Sequence, residues 1–221
     1  MPNNVVVWFR KCLRLHDNAA LRAAIEQARA RNASVIPVFC LDPHFVKSGA
    51  VGPVRWRFLL ESLADLHAQL QRHNSGLFVL QGSASEEVLQ ACKRFEADAV
   101  HFEKDTESFA KARDAVLAGK AADMGVQVHD HSGHTLYDVE HLLQKCNAQP
   151  PKTYQGFLAL YKGLGPPPKP QDIPLDVLGA LPPPVWAPQY AVPALKDLLP
   201  SGTDPALEPA VFPGGETAGL A

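Results

Sequence analysis

The first two thirds of the chain alternate short apolar runs with helical patterns, and this alternation is the feature that most constrains the fold. Five runs have the length of buried strands, at residues 5–9, 35–41, 77–80, 99–102 and 126–128. Short continuous apolar runs are typical of strands covered on both faces. The alternation therefore predicts a Rossmann-like α/β fold, an open five-stranded parallel sheet with helices on both faces.

Helical periodicity fills the four intervals between these runs and is strongest over residues 55–72. Apolar side chains recur there at helical spacing, at Phe58, Leu59, Leu63, Leu66 and Leu70. Further helices are predicted over residues 18–31, 85–95 and 108–124, with a loop over residues 42–53. Asp17 or Asn18 is expected to cap the first helix, because either side chain can accept hydrogen bonds from free helix amides.

Prolines divide the chain at residue 150. Of the 20 prolines, only those at positions 2, 37, 43 and 53 precede Pro150. A proline-dense stretch cannot keep the backbone hydrogen bonds of a helix or an interior strand. We therefore predict an α/β domain over residues 1–145 and a long proline-rich linker over residues 146–211. The linker is expected to contain one short helix. Residues 212–221 are predicted to begin a further domain.

Composition excludes several classes of protein. The formal net charge of -2 gives no whole-chain case for binding nucleic acid or a membrane surface. No apolar run approaches the length of a membrane span, and the first residues do not resemble a signal peptide. Four cysteines lie far apart without a C-x-x-C pair, which indicates reduced thiols in a nucleus or cytoplasm: Cys12, Cys40, Cys92 and Cys146.

A basic turn follows the first strand, and it is the first candidate binding site. Arg10, Lys11 and Arg14 lie where the next helix offers its N-terminal amides, which suits an anionic or polar ligand. The alternative is that Arg14 pairs with Asp17 while the other side chains are solvated. The chain has neither G-x-G-x-x-G nor a P-loop, so an ordinary dinucleotide site is disfavoured.

The second candidate is the segment F-E-K-D-T-E, which begins at residue 102. It follows the fourth strand and should face the same crevice as Arg10. Asp105 and Glu107 could accept hydrogen bonds from a heterocyclic N–H or a hydroxyl group. The alternative is that Asp105 or Thr106 only caps the next helix.

Two further patterns contain side chains that can be reactive. In H-D-H-S-G-H, His129 and His131 would share one strand face, which zinc could use with a third ligand. No second ligand pair stands out, so we predict solvent-facing loop histidines, His134 included, and no metal site. Cys12 follows two basic residues, but no general base can be identified beside it, so we predict no catalytic residue.

Several longer motifs run in order along the whole chain. They are W-F-R-K-C-L-R-L-H-D-N-A-A-L from residue 8, L-D-P from 41, G-P-V-R-W-R-F-L-L-E from 52, F-E-K-D-T-E-S-F from 102, P-P-K-T-Y-Q-G-F from 150 and F-P-G-G-E from 212. The ordered set resembles the photolyase and cryptochrome family. Its first motif is most similar to animal-type cryptochromes and six-four photolyases.

The resemblance implies an N-terminal α/β antenna domain, a linker and a helical domain that binds FAD. The family uses blue light either to repair pyrimidine lesions in DNA or to signal to other proteins. Residues 212–221 would then be the start of the helical domain, so this polypeptide alone is expected to lack FAD and catalysis. A nuclear, cytoplasmic or plastid location is expected, with no membrane and no secretion.

An antenna pigment, a deazaflavin or a folate, is the ligand that the resemblance implies for the α/β domain. The matching positions are Arg10, Cys12, Phe39, Asp105 and Glu107, with Lys47 or Val51 from a covering loop. The alternative is a stand-alone nucleotide- or protein-binding Rossmann-like module without photochemistry. A third possibility is a fragment that associates through unburied linker residues: Leu175, Leu178, Trp186, Tyr190 and Leu195.

Overall fold

The sheet has five parallel strands in the order β3-β2-β1-β4-β5, which confirms the predicted fold class. The structure is a computed structural model that describes residues 3–46, 48–175, 178, 188–200 and 209–221. The strands are β1 (Asn4–Phe9), β2 (Val35–Leu41), β3 (Phe78–Gln81), β4 (Ala97–Glu103) and β5 (Gln127–His131). All five lie within three residues of the predicted runs. For the central strands β1 and β2, continuous apolar sequence is typical of burial on both faces.

The strand order reverses direction at β1, which lies at the centre of the sheet. In the register, Phe9 of β1 pairs with Phe39 of β2, and Trp8 pairs with Phe102 of β4. The carboxyl ends of these three strands therefore meet at one edge. This is the switch point where open α/β sheets bind ligands.

Helices cover both faces of the sheet. On one face lie α1 (Ala19–Arg31) and α3 (Pro53–Gln71), whose leucines share a buried cluster with Val5, Val7 and Phe9. On the other face lie α4 (Ala84–Arg94) and α5 (Ser108–Asp123), packed against Val6 and Trp8. The side chain of Asn18 accepts the Leu21 N–H at 3.0 Å, so Asn18 is the cap of α1.

Short helices occur where the sequence patterns were weak. The predicted loop over residues 42–53 contains α2 (Pro43–Val46), and α6 (Val139–Lys145) follows β5. The last strand runs to His131, so the prediction of loop histidines is wrong for His129 and His131. The full length of this strand is hard to recognise from the sequence because most of its residues are polar. An edge strand needs no continuous apolar run.

Described parts of the proline-rich segment pack against the α/β domain. Among the described residues after α7 (Tyr154–Lys162), 3-10 turns occur at Pro188–Tyr190 and Leu195–Asp197, and α8 (Glu216–Gly219) follows them. Leu178 is 1% exposed and packs with the α1–α3 cluster, and Tyr190 is buried on the opposite face. The expectation that these two side chains are unburied is therefore wrong. Trp186 lies outside the described residues.

Within the part of the chain that the structure describes, no helix is both long and apolar enough to cross a bilayer.

Candidate functional site

A cleft of about 1120 Å³ opens over the carboxyl ends of β1 and β2. Arg10 and Phe39 contribute to it from the strand ends, and Val51 contributes from the segment before α3. Most of the remaining wall is apolar, including Leu41, Phe45, Val46, Val54, Trp56 and Phe58. The structure thus brings together three of the predicted site residues around one mainly apolar cavity, the usual form of a small-molecule site.

Arg10 is the most unusual side chain of this cleft. Its guanidinium is nearly buried, and Nη1 lies 2.9 Å from Asp114 Oδ2. The guanidinium carbon lies 4.8 Å from the Trp8 ring centre and 5.0 Å from that of Phe102, within cation–π range. The other terminal nitrogen, Nη2, is buried and has no hydrogen-bond partner among the described residues. A buried donor without a partner is rare, so this position calls for an acceptor.

The Asp114 carboxylate pairs with two arginine side chains. Burial raises the pKa of the Asp114 carboxyl, and the ion pair with Arg10 offsets only part of that shift. Arg113 also pairs with the carboxyl, with Nη2 3.0 Å from Oδ1, and stacks 4.7 Å from the Trp8 ring centre. Two guanidinium groups therefore share one carboxylate behind the cleft. Arg10 therefore keeps N–H groups that Asp114 does not engage.

The predicted acidic residues meet Lys11 beside the cleft. Lys11, which lines the cleft, places Nζ 2.9 Å from Asp105 Oδ2 and 2.7 Å from Glu107 Oε1. Burial works to raise the pKa of Asp105, but the hydrogen bonds from Lys11 and the Glu107 amide lower it below its usual range. Neither acid is a cleft wall residue, and Glu107 occupies the N-cap position of α5. The prediction that Asp105 or Thr106 caps α5 is therefore wrong, and Asp105 instead accepts the Glu107 N–H at 3.1 Å.

The covering segment is held in place at its beginning. Asp42 accepts the His44 N–H at 2.9 Å and the Ala84 N–H at 3.1 Å. The His44 ring stacks on Phe109 of α5 with ring centres 3.9 Å apart. Sequence reasoning missed this short helix, although Asp followed by Pro is a recognised helix start. Lys47, the other predicted residue of this segment, lies outside the described residues, and its role stays a prediction.

The tail of the chain forms part of the cleft rim. Val211 and Phe212 line the cleft, and the Gly214 N–H donates to Glu61 of α3 at 2.8 Å. The Glu216 carboxylate then accepts the Leu15 and His16 amides at 2.8 and 2.9 Å. The motif F-P-G-G-E is therefore hydrogen-bonded to α3 and to the turn after β1.

Cys12 lies apart from the cleft. Its thiol donates a hydrogen bond to Glu103 Oε1 at 3.0 Å, on the side of the turn that faces β5. Burial, and then the Glu103 carboxylate, raise the pKa of Cys12 to about 12, so it is a poor nucleophile at neutral pH. Its predicted part in pigment binding stays a prediction.

A buried histidine that sequence reasoning missed lies in β4. His101 is 4% exposed, and its Nδ1 lies 2.9 Å from His131 Nε2 while Nε2 bonds Gln27. Its ring stacks on both His129 and His131, so those two share one strand face as predicted. The surrounding apolar run A-D-A-V-H-F was the available signal for a core histidine.

Comparison with known proteins agrees with this architecture. A family model described as DNA photolyase matches residues 5–173. Cryptochrome-1 of Rattus norvegicus is 40% identical over 225 residues, which cover 100% of this chain and 37% of the rat protein. The chain thus spans little more than a third of the length of the curated relatives it matches.

Solved structures show the same fold. A bacterial class III photolyase from Agrobacterium tumefaciens has a TM-score of 0.72 at 30% identity, covering 92% of this chain and 40% of its own. A Synechocystis sp. PCC6803 cryptochrome has a TM-score of 0.82 at 24% identity, and the match covers 100% of this chain and 45% of the cryptochrome. At this identity the match supports the fold alone. Because the family model matches most of the chain, the chain belongs to the DNA photolyase family, as an α/β domain of the photolyase and cryptochrome type.

Proposed function

We propose that this chain is the antenna-type domain of a blue-light flavoprotein and that its cleft binds a planar pigment. The observation that carries the proposal is that Arg10 lines a large apolar cleft while its buried Nη2 has no hydrogen-bond partner within the described part of the chain. A fused heteroaromatic ring packs well against apolar and aromatic walls. A turn of the guanidinium toward the cleft would let a carbonyl oxygen or ring nitrogen of such a pigment accept a hydrogen bond from Nη2, which is now buried.

The other site residues have distinct roles in this proposal. Phe39 and Val51 provide apolar contact with the ring. Asp105 and Glu107, held by Lys11 beside the cleft, accept hydrogen bonds from the hydroxyl groups of a pigment side chain. A deazaflavin is favoured over a folate, because the glutamate carboxylates of a folate would meet these two acids.

The proposal extends to the whole protein. A helical domain outside this chain would bind FAD, and the pigment would pass absorbed energy to it. That protein would either repair pyrimidine lesions in DNA or signal to a protein partner, in a nucleus, cytoplasm or plastid. A stand-alone nucleotide- or protein-binding module is not favoured, because the family model matches most of the chain.

Pigment binding to matched variants tests the proposal. The purified chain is dialysed against a deazaflavin and, separately, a folate, and bound pigment is measured by absorbance. Val51→Phe fills the cleft, whereas Val116→Phe adds the same bulk to an exposed position on α5. We expect Val51→Phe to lose at least tenfold in deazaflavin affinity and Val116→Phe to bind like the unchanged chain. Absence of saturable binding, or equal binding by both variants, would reject the cleft as the pigment site.

A further inference from the structure

A second group of reactive side chains lies outside the cleft, at the carboxyl ends of the neighbouring strands β1, β4 and β5. Cys12 follows β1, Glu103 ends β4, and His134 lies in the segment after β5. One ligand atom from each of these residues lies within 4.8 Å of the other two. The Cys12 thiol and the Glu103 carboxylate are already 3.0 Å apart. Three separate parts of the chain thus bring a sulfur, an oxygen and a nitrogen ligand together.

The void beside Cys12 and Glu103 is small. A void of about 10 Å³ is lined by Cys12, Glu103 and His131, together with the first residues of α1. This is about the room that a single water-sized particle occupies. An organic ligand does not fit into this void. A single ion fits if the ligating side chains move toward it.

Gly133 allows the histidine segment to approach. A Cβ atom at this position would lie 3.1 Å from Glu103 Oε1, closer than most real contacts. Without a side chain, the backbone lies against the Glu103 carboxylate and brings His134 beside it. A larger residue at position 133 would push the carboxylate away from the other two ligands.

We propose that Cys12, Glu103 and His134 bind one Zn²⁺ ion. Thiolate, imidazole and carboxylate are the ligands that zinc uses in proteins, and the two anionic groups balance the charge of the ion. Tetrahedral coordination separates such ligand atoms by about 3.5 Å, which small side-chain shifts achieve from the present positions. Binding displaces the thiol proton that now lies between Cys12 and Glu103. The fourth position remains for water.

Two of the side chains that line the void are already engaged elsewhere. His131 lines the void, but its Nε2 is engaged with His101 at 2.9 Å. Arg14 also lines it, and its guanidinium donates to the carbonyls of His16 and Asp17. His134 is exposed and free to turn toward the thiol and the carboxylate.

Titration of the metal-free chain with Co²⁺ tests the proposal, since cobalt occupies zinc sites and reports sulfur ligation by its thiolate charge-transfer absorption. We expect one equivalent of Co²⁺ to produce this absorption and one equivalent of Zn²⁺ to remove it. Cys12→Ser should abolish the absorption, while Glu103→Gln and His134→Asn should weaken binding at least tenfold. Cys146→Ser and His129→Gln are the matched controls and should behave like the unchanged chain.

Two results would overturn the zinc site. One is a failure of one equivalent of Co²⁺ to give the thiolate absorption in the unchanged chain. The other is an absorption that persists in Cys12→Ser or disappears in Cys146→Ser. If Cys12→Ser does not fold, as judged by circular dichroism, Glu103→Gln and His134→Asn decide the question, and unchanged affinity in both rejects the site.

Discussion

Arg10 and Asp114 lie 104 positions apart in the chain and form a partly buried ion pair, with Nη1 2.9 Å from Oδ2. The pair fixes the guanidinium between the Trp8 and Phe102 rings at the switch point of the sheet. It engages one terminal nitrogen and leaves the other without a partner among the described residues. The central claim of this account, an acceptor-bearing pigment in the cleft, rests on that second nitrogen.

Replacement of Arg10 by Met is expected to weaken deazaflavin binding by about tenfold to a hundredfold, as for the loss of a charged hydrogen bond. Arg113 still pairs with Asp114 in this variant, so the domain should remain folded. The measurement is pigment affinity by equilibrium dialysis, with circular dichroism as the control for folding. Unchanged affinity in a folded variant would remove Arg10 from the site.

Glu107→Ala is expected to reduce deazaflavin affinity only a few-fold, since this carboxylate is largely exposed and water can replace its hydrogen bonds. Its partner Lys11 keeps the ion pair with Asp105. Pigment dissociation constants for the two proteins, measured side by side, check this. A loss as large as that of Arg10→Met would show that the rim, and not the guanidinium, dominates recognition.

The sequence predicted the central strands well and the site only in parts. Residues 5–9 and 35–41 are continuous apolar runs, so local pattern alone marks them as buried strands. The contact between Arg10 and Asp114 has no local signature, because tertiary packing brings them together. The same holds for Leu178, which is buried in a cluster with side chains of α1 and α3 that lie far from it in the sequence.

Stability should depend on pH through His101. Burial, and then His131, lower the pKa of His101 to about 3, whereas an unfolded histidine has a pKa of about 6.5. Between these values only the unfolded chain binds the proton, so acidification favours unfolding by up to about 1.4 kcal/mol per pH unit. Urea unfolding at pH 6.5, 5.5 and 4.5 measures the slope.

A histidine variant separates this contribution from other acid effects. His101→Leu cannot bind the proton in either state, so its unfolding free energy should fall less steeply with acidification. His141→Gln, a change at an exposed histidine, should retain the slope of the unchanged chain. Parallel pH profiles for all three proteins would contradict the assignment.

Leu178→Ala should lower the free energy of unfolding by about 2–5 kcal/mol, the usual cost of removing a fully buried leucine side chain. Leu178 is 1% exposed, whereas Leu220 is 75% exposed, so Leu220→Ala is the matched control. Chemical denaturation of both variants provides the comparison. Equal stability would show that the proline-rich segment does not pack on the domain in solution.

Gly214→Ala should release the tail from α3. An added Cβ would lie 2.1 Å from the Phe58 carbonyl oxygen, which as a backbone atom cannot turn aside. The Glu216 carboxylate would then leave the amides of Leu15 and His16. Those two amides should exchange with deuterium faster, while Gly219→Ala, which meets no heavy atom within 4 Å, should leave their exchange unchanged.

The most direct test of the central claim is a crystal structure of the chain grown with saturating deazaflavin. We predict one pigment in the cleft, in contact with Phe39 and Val51 and within hydrogen-bond distance of the Arg10 guanidinium. A pigment bound elsewhere, or a cleft that stays empty at saturation, would contradict the account.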